Sequence, residues 1–232
     1  MSAPAAFDNF ARNYDQELER GVRISGESKD YFAEGRIRWV AKCLHELGER
    51  PARVLDFGCG TGSTSVLLQQ ILGAELYVGV DASQKSVQFA GETFGSPTRY
   101  FTTLDRLPAD FSFDLVYCNG VFHHIPVPQR QAAAEFVYHR LRAGGIFAMW
   151  ENNPWNPGTR LVMSRIAFDR DAVCLSAFQT SRLLRDVGFS IVHTQFMFIF
   201  PRLLRGLRFL EPHLSALPIG AQYQVMCQRR EV

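Results

Sequence analysis

Short apolar runs alternate with longer helical stretches along this chain. That alternation is the signature of strand–helix–strand units in a parallel sheet covered on both faces. Arg53–Phe57 reads as a first strand, followed by a glycine turn and a helix from Ser65 to Leu72 that Gly73 stops in the left-handed conformation. Leu76–Val80 is a second buried strand, and Ser83 caps a helix running to about Phe94. Arg99–Thr102 and Phe113–Cys118 supply strands three and four. Pro128 opens a helix carrying Val137 and Leu141 on one face, Gly144-Gly145 closes it, and Ile146–Trp150 is strand five. Ser181–Val187, stopped by Gly188, leads into a sixth strand over Phe189–Phe198, and Ala221–Cys227 alternates as an edge or antiparallel strand. Met1–Glu49 is helical in character, and Pro201–Pro218 is a basic, leucine-rich insert between the last two strands.

The turn after the first strand reads Asp56-Phe57-Gly58-Cys59-Gly60-Thr61-Gly62. Glycines let the backbone turn sharply and let a ligand approach the main chain, while the helix that follows offers unpaired N–H groups. The spacing is G-x-G-x-G; the dinucleotide fingerprint is G-x-G-x-x-G, and position 63 is Ser. Asp81 ends the second strand 21 residues after Gly60, where a carboxylate accepts from both hydroxyls of a ribose.

These residues resemble the first two motifs of the class I S-adenosylmethionine-dependent methyltransferases, small-molecule type. Phe113-Asp114-Leu115-Val116-Tyr117-Cys118-Asn119-Gly120-Val121-Phe122-His123-His124-Ile125 is similar to the fourth-strand motif of that family, and Leu141–Ile146 to the segment entering its fifth strand. The resemblance covers Arg53 to Trp150, about 40% of the chain. It implies an α/β fold with a doubly wound, mostly parallel seven-stranded sheet and an antiparallel last strand. Outside the sheet lie the helical N-terminal lid and the helical insert before the last strand. It also implies roles. Asp56, Gly58, Cys59, Gly60 and Gly62 would surround the methionine part of the donor, Asp81 would take the ribose, and Ala82 would lie beside the adenine. Asn119 would line the same site. Where many relatives carry Gly-Asp after the third strand this chain has Thr102-Thr103, so both Thr103 and Asp105 stand as the adenine contact. Phe7-Asp8-x-x-Ala11-x-x-Tyr14-Asp15 resembles the lid opening of small-molecule methyltransferases. Tyr14 would close over the donor, and Arg36 would pair with its carboxylate; simple packing of the first helices is the alternative.

Methyl transfer from a sulfonium needs alignment more than acid–base power. His124 and His123 follow the fourth strand, at the mouth where open sheets bind ligands, and either is a candidate base; the alternative is that one ring merely orders the loop. Trp150–Pro157 leaves the fifth strand as a proline-stiffened polar cluster, with Glu151, Asn153 and Trp155 as candidate substrate contacts or a rigid capped turn. The insert, with Phe196, Phe198, Phe200 and Phe209 and Leu203, Leu204, Leu207 and Leu210 among Arg202, Arg205 and Arg208, reads first as a core helix with a solvated basic side. Capping an apolar substrate, forming a homodimer or resting on a membrane surface are its other readings.

Composition narrows the classes. A net charge of +2 without a Lys/Arg run argues against nucleic acid. Five scattered cysteines without a C-x-x-C pair fit a reducing cytoplasm and no zinc knuckle, and zinc at His123 and His124 is disfavoured because no second ligand pair has metal spacing, so no metal is expected. Met1–Phe7 lacks the basic start and apolar stretch of a signal peptide. No apolar run approaches the roughly 20 residues of a membrane span. The expectation is a cytoplasmic, single-domain enzyme over residues 1–232, with a lid (1–49), a donor-binding core (50–150) and substrate-side elements (151–232). It would methylate a small-molecule acceptor with S-adenosyl-L-methionine and release S-adenosyl-L-homocysteine. A methyltransferase-like module that holds the donor without turnover is the alternative, and a nicotinamide enzyme is disfavoured by the loop spacing and the absence of a Tyr-x-x-x-Lys pair.

Overall fold

The computed structural model describes residues 14–169 and 172–230, with side chains from Glu17 onward. Seven strands form one sheet: β1 (Arg53–Phe57), β2 (Leu76–Asp81), β3 (Arg99–Thr103), β4 (Phe113–Asn119), β5 (Leu141–Asn152), β6 (Phe189–Met197) and β7 (Gln222–Arg229). Their order is β3-β2-β1-β4-β5-β7-β6. The pairs from β3 to β5 are parallel, and β7 runs antiparallel to both neighbours. The helices are α1 (Tyr14–Val22), α2 (Lys29–Glu46), α3 (Ser65–Leu72), α4 (Gln84–Phe94), α5 (Arg130–Arg140), α6 (Pro157–Met163), α7 (Ala177–Val187) and α8 (Glu211–Leu214). Among the described residues no helix is long and apolar enough to cross a membrane.

The period of two along each strand divides the interior into two cores. Leu55, Phe57, Val116, Cys118, Phe147 and Met149 face α5 and α7, burying Val137 and Leu184 with them. Val54, Leu115, Tyr117, Ile146, Ala148 and Trp150 face the other way, onto Ile37, Val40 and Leu44 of α2 and Leu68 of α3. Central strands covered on both faces need apolar side chains at nearly every position, which is why they read as runs. Each fully buried large side chain contributes roughly 1.5–3 kcal/mol.

Three expectations are corrected. Strand β5 begins at Leu141, before the double glycine: register with β4 jumps between Phe113 and Leu115, and Gly144 takes φ +72° inside the resulting bulge. Helix α7 begins at Ala177 instead of Ser181, because Ser176 and Gln179 form a reciprocal capping box. Of the two readings of β7, the antiparallel one holds: it lies inside the sheet, hydrogen-bonded on both sides. The insert is no core helix. Arg202–Leu210 is 3-10 with a kink at Leu204, none of its residues is buried, and Leu203 is 92% exposed. Its polar groups turn inward instead. The buried Glu211 carboxylate accepts from the amides of Phe198 (3.2 Å) and Phe200 (3.0 Å). Arg208 donates to Phe200 O and Glu27 and lies 4.6 Å over the Tyr31 ring.

Candidate functional site

The sheet's C-terminal edge carries the glycine turn. Gly58, Gly60 and Gly62 all have positive φ (79°, 53° and 74°), and the amides of Gly58 and Cys59 donate to Val80 O, tying the turn to β2. A Cβ on Gly58 would stand 2.3 Å from Val121 Cγ2, so only glycine fits there. At Gly60 a Cβ would meet nothing within 4 Å, and that face of the turn opens into a cavity of about 540 Å3. Gly58, Gly60, Asp81, Ala82, Asp105 and Asn119 line it, with Leu104, Ile125 and Phe136 among the apolar walls. Asp81 is fixed at the wall of this cavity: its Oδ2 accepts from Gly60 N and its Oδ1 from Ser83 N, both at 2.9 Å.

Three expected contacts are placed differently. Asp56 is buried beneath the turn and accepts from Tyr77 Oη at 2.7 Å, and Cys59 is buried beside it; neither lines the cavity. Of the two adenine candidates, Asp105 lines the cavity and Thr103 is buried outside it. Burial pushes the Asp56 carboxyl up to about 7, against the Tyr77 hydrogen bond, with the Asp81 charge adding to the rise. A carboxyl raised in the folded state binds more protons there, so its contribution to stability falls as pH rises from about 4 to about 7 and is flat above. Asp56→Asn is therefore expected to gain on the wild type across that window, by a few kcal/mol at most; parallel denaturation curves at pH 4.5 and 7.5 would contradict this.

A second cavity, of about 320 Å3, adjoins the first and shares Asn119, Gly120 and His124 with it. Its walls are Tyr31, Phe32 and Arg36 of α2, Thr159 and Met163 of α6, Phe198 after β6, and Gln222 of β7. Arg36 is buried and donates from Nη1 to Gln222 Oε1 at 2.9 Å. Its Nε, and Asn119 Oδ1, are buried without hydrogen-bond partners. One guanidinium nitrogen beside the second cavity and one amide oxygen where the two cavities meet are thus left to be satisfied. The lid motif from Phe7 to Ala11 lies outside the described residues, and of Tyr14 only the backbone, at the start of α1, is described.

The polar centre of the second cavity is a group the sequence only half revealed. His123 and His124 sit on the 3-10 turn after β4 and face Asp169, which ends the short turn Ala167–Asp169. Asp169 Oδ1 lies 3.2 Å from His124 Nε2 and 3.5 Å from His123 Nε2. Glu151 is not a substrate contact: it is buried at the end of β5, accepting from Phe122 N at 2.8 Å and pairing with His123 Nδ1 at 2.5 Å. Asn153 is likewise internal, donating to Pro218 O and Gly220 O, and Trp155 is 60% exposed and lines neither cavity. Burial works against charge on His123, but Glu151 and Asp169 outweigh it and push it up to about 10, whereas burial holds His124 below the usual imidazole range.

Residues 55–147 match the family model of a methyltransferase domain. The chain is 34% identical over 102 residues to trans-aconitate 2-methyltransferase of Deinococcus radiodurans, covering 44% of this chain and 38% of that one. It is 27% identical over 150 residues to carboxy-S-adenosyl-L-methionine synthase of Campylobacter curvus, covering 62% and 60%. The chain thus spans less than two thirds of the length of these relatives. An S-adenosylmethionine-dependent methyltransferase of Thermotoga maritima superposes with a TM-score of 0.63 at 19% identity, over 97% of this chain and 98% of that one, and shares the fold.

Proposed function

We propose that this chain, whose residues 55–147 belong to the class I S-adenosylmethionine-dependent methyltransferases, transfers a methyl group from S-adenosylmethionine to a small-molecule acceptor. The observation that carries the reading is the pair of cavities meeting at Asn119, Gly120 and His124. In the first, Asp81 receives the ribose hydroxyls, Ala82 and Asp105 flank the adenine, and the Gly60 backbone passes beneath the ribose. At the junction Asn119 Oδ1 takes the amino group and Arg36 the carboxylate of the methionine end, which sets the sulfonium between the two cavities. The acceptor occupies the second cavity, whose volume suits a small molecule and whose aromatic walls exclude water.

The transfer is an in-line displacement. The acceptor's lone pair forms a bond to the methyl carbon as the carbon–sulfur bond breaks, its electrons return to sulfur, and a protonated acceptor releases its proton to solvent. Holding the partners in line accounts for several kcal/mol of barrier reduction, roughly 7–11 at most. The His123–His124–Asp169 group is the polar assembly nearest the junction, and it holds the acceptor's nucleophile. The chain acts as one unit in this reading: residues 1–49 cover the site, 50–150 hold the donor, and 151–232 shape the acceptor side.

Calorimetric titration with S-adenosylmethionine and S-adenosylhomocysteine tests the donor half; no binding at high micromolar donor would sink it. Turnover across a panel of hydroxy, amino and carboxylate acceptors separates an enzyme from a module that only holds the donor. His124→Asn is expected to lower turnover about a hundredfold or more while leaving the donor dissociation constant within about twofold, the split expected of a group on the acceptor side.

A further inference from the structure

We propose that His123, His124 and Asp169 bind one divalent transition-metal ion whose open coordination positions face the acceptor cavity. Among the described residues these three are a set whose ligand atoms all lie within 4.8 Å of one another. Two of their separations fit a shared ion. Metal–ligand bonds of about 2.0–2.2 Å at tetrahedral angles put neighbouring ligand atoms about 3.3–3.6 Å apart, and Asp169 Oδ1 stands 3.2 and 3.5 Å from the two Nε2 atoms.

Two further observations favour an ion over a plain hydrogen-bonded trio. Asp169 Oδ1 is buried and faces both Nε2 atoms at ion-pair distance, yet it completes no well-formed hydrogen bond. Its side chain is 6% exposed, and a carboxylate oxygen that receives no hydrogen bond at that depth is costly. The second observation is Glu151. Its Oε2 takes His123 Nδ1 at 2.5 Å, and its other oxygen is held by the Phe122 amide at 2.8 Å. A carboxylate bound to the outer nitrogen of a ligating imidazole fixes the ring and leaves Nε2 with its lone pair toward the ion.

Two imidazoles and one carboxylate suit Zn2+, Co2+, Fe2+ or Ni2+ better than Mg2+ or Ca2+, which prefer all-oxygen sets. Three protein ligands leave a position open, and all three residues line the acceptor cavity. The role of the ion rests on the proposed methyl transfer. An acceptor hydroxyl or carboxylate oxygen takes the open position, and coordination lowers the hydroxyl's pKa so that its proton leaves for solvent before the oxygen attacks the methyl group. The acceptor class is therefore one with an oxygen donor, such as a phenol, a catechol or a hydroxy acid.

The test uses the full chain, stripped by a chelator, and Co2+ as the probe. One Co2+ per chain is expected, with visible d–d absorption, and Asp169→Asn is expected to weaken it at least a hundredfold. Glu151→Gln is expected to weaken it about tenfold to a hundredfold. No stoichiometric uptake at high micromolar Co2+, or an Asp169→Asn variant that binds as the wild type does, would overturn the proposal. Wild-type protein loaded with Cu2+ gives an arm that needs no variant: pulsed EPR should show two imidazole nitrogens, and one or none would overturn it. Donor titration on the same stripped preparation keeps the two readings apart: S-adenosylmethionine bound by protein that takes up no Co2+ sinks the metal site alone, and no donor binding sinks the methyl-transfer reading.

Discussion

Glu151→Ala is expected to lower the thermal midpoint by about 5–15 °C. The carboxylate lies at the end of β5 inside the protein, and removing it strands two buried groups, the Phe122 amide and His123 Nδ1. Each orphaned buried group costs roughly 1–3 kcal/mol, and one kcal/mol moves the midpoint of a chain this long by about 2–4 °C. Glu151→Gln keeps one acceptor oxygen and should show about half the fall. Scanning calorimetry decides: an alanine variant within about 2 °C of the wild type would mean that water replaces the carboxylate and the histidine turn is not organised by β5. The variant should also lose alignment at the junction, since His123 and His124 share one 3-10 turn.

Asp81→Ala is expected to weaken S-adenosylmethionine binding at least tenfold and by up to a few thousandfold. A charge-assisted hydrogen bond contributes roughly 1.5–3 kcal/mol, and the carboxylate has two ribose hydroxyls to receive. It also holds the turn itself, because Gly60 N and Ser83 N both donate to it. Asp81→Asn separates the two effects, since an amide oxygen still accepts from one backbone N–H. Titration calorimetry of both variants is the measurement. Equal dissociation constants for wild type and alanine variant would remove Asp81 from the ribose and leave it as a brace for the turn.

Most of the frame was legible because the buried parallel strands are apolar at nearly every position, with few polar residues such as Asp56 to blur them. Val54-Leu55 and Leu115-Val116-Tyr117-Cys118 each look to both sides of the sheet and are apolar on both. The errors fall where one residue type serves two purposes. Gly144-Gly145 has the appearance of a helix stop and is in fact the bulge that lets β5 shift register. Glu151 has the appearance of an exposed strand-end acid; which way it points depends on a histidine 28 residues earlier, a separation no local pattern encodes. The insert is amphipathic either way round, and the leucines were expected inside. The Glu211 carboxylate, seated between the amides of Phe198 and Phe200, turns the polar side inward. Asp169 carries no signal at all. It follows His124 by 45 residues on a single 3-10 turn, and only the fold brings the two together.

The place of β7 between β5 and β6 bears on the order in which the molecule can assemble. Strands β1 to β5 can pair as they emerge, but β6 has no partner until β7 arrives, since the two flank it and do not touch each other through backbone bonds. During synthesis β5 therefore presents an unsatisfied edge, and β6 waits as a detached, apolar segment, until the residues 222–229 thread between them. The acceptor cavity takes Gln222 from β7 and Phe198 from the end of β6, so the half of the site that chooses the acceptor is completed by the final insertion, after the half built on the glycine turn already has its backbone.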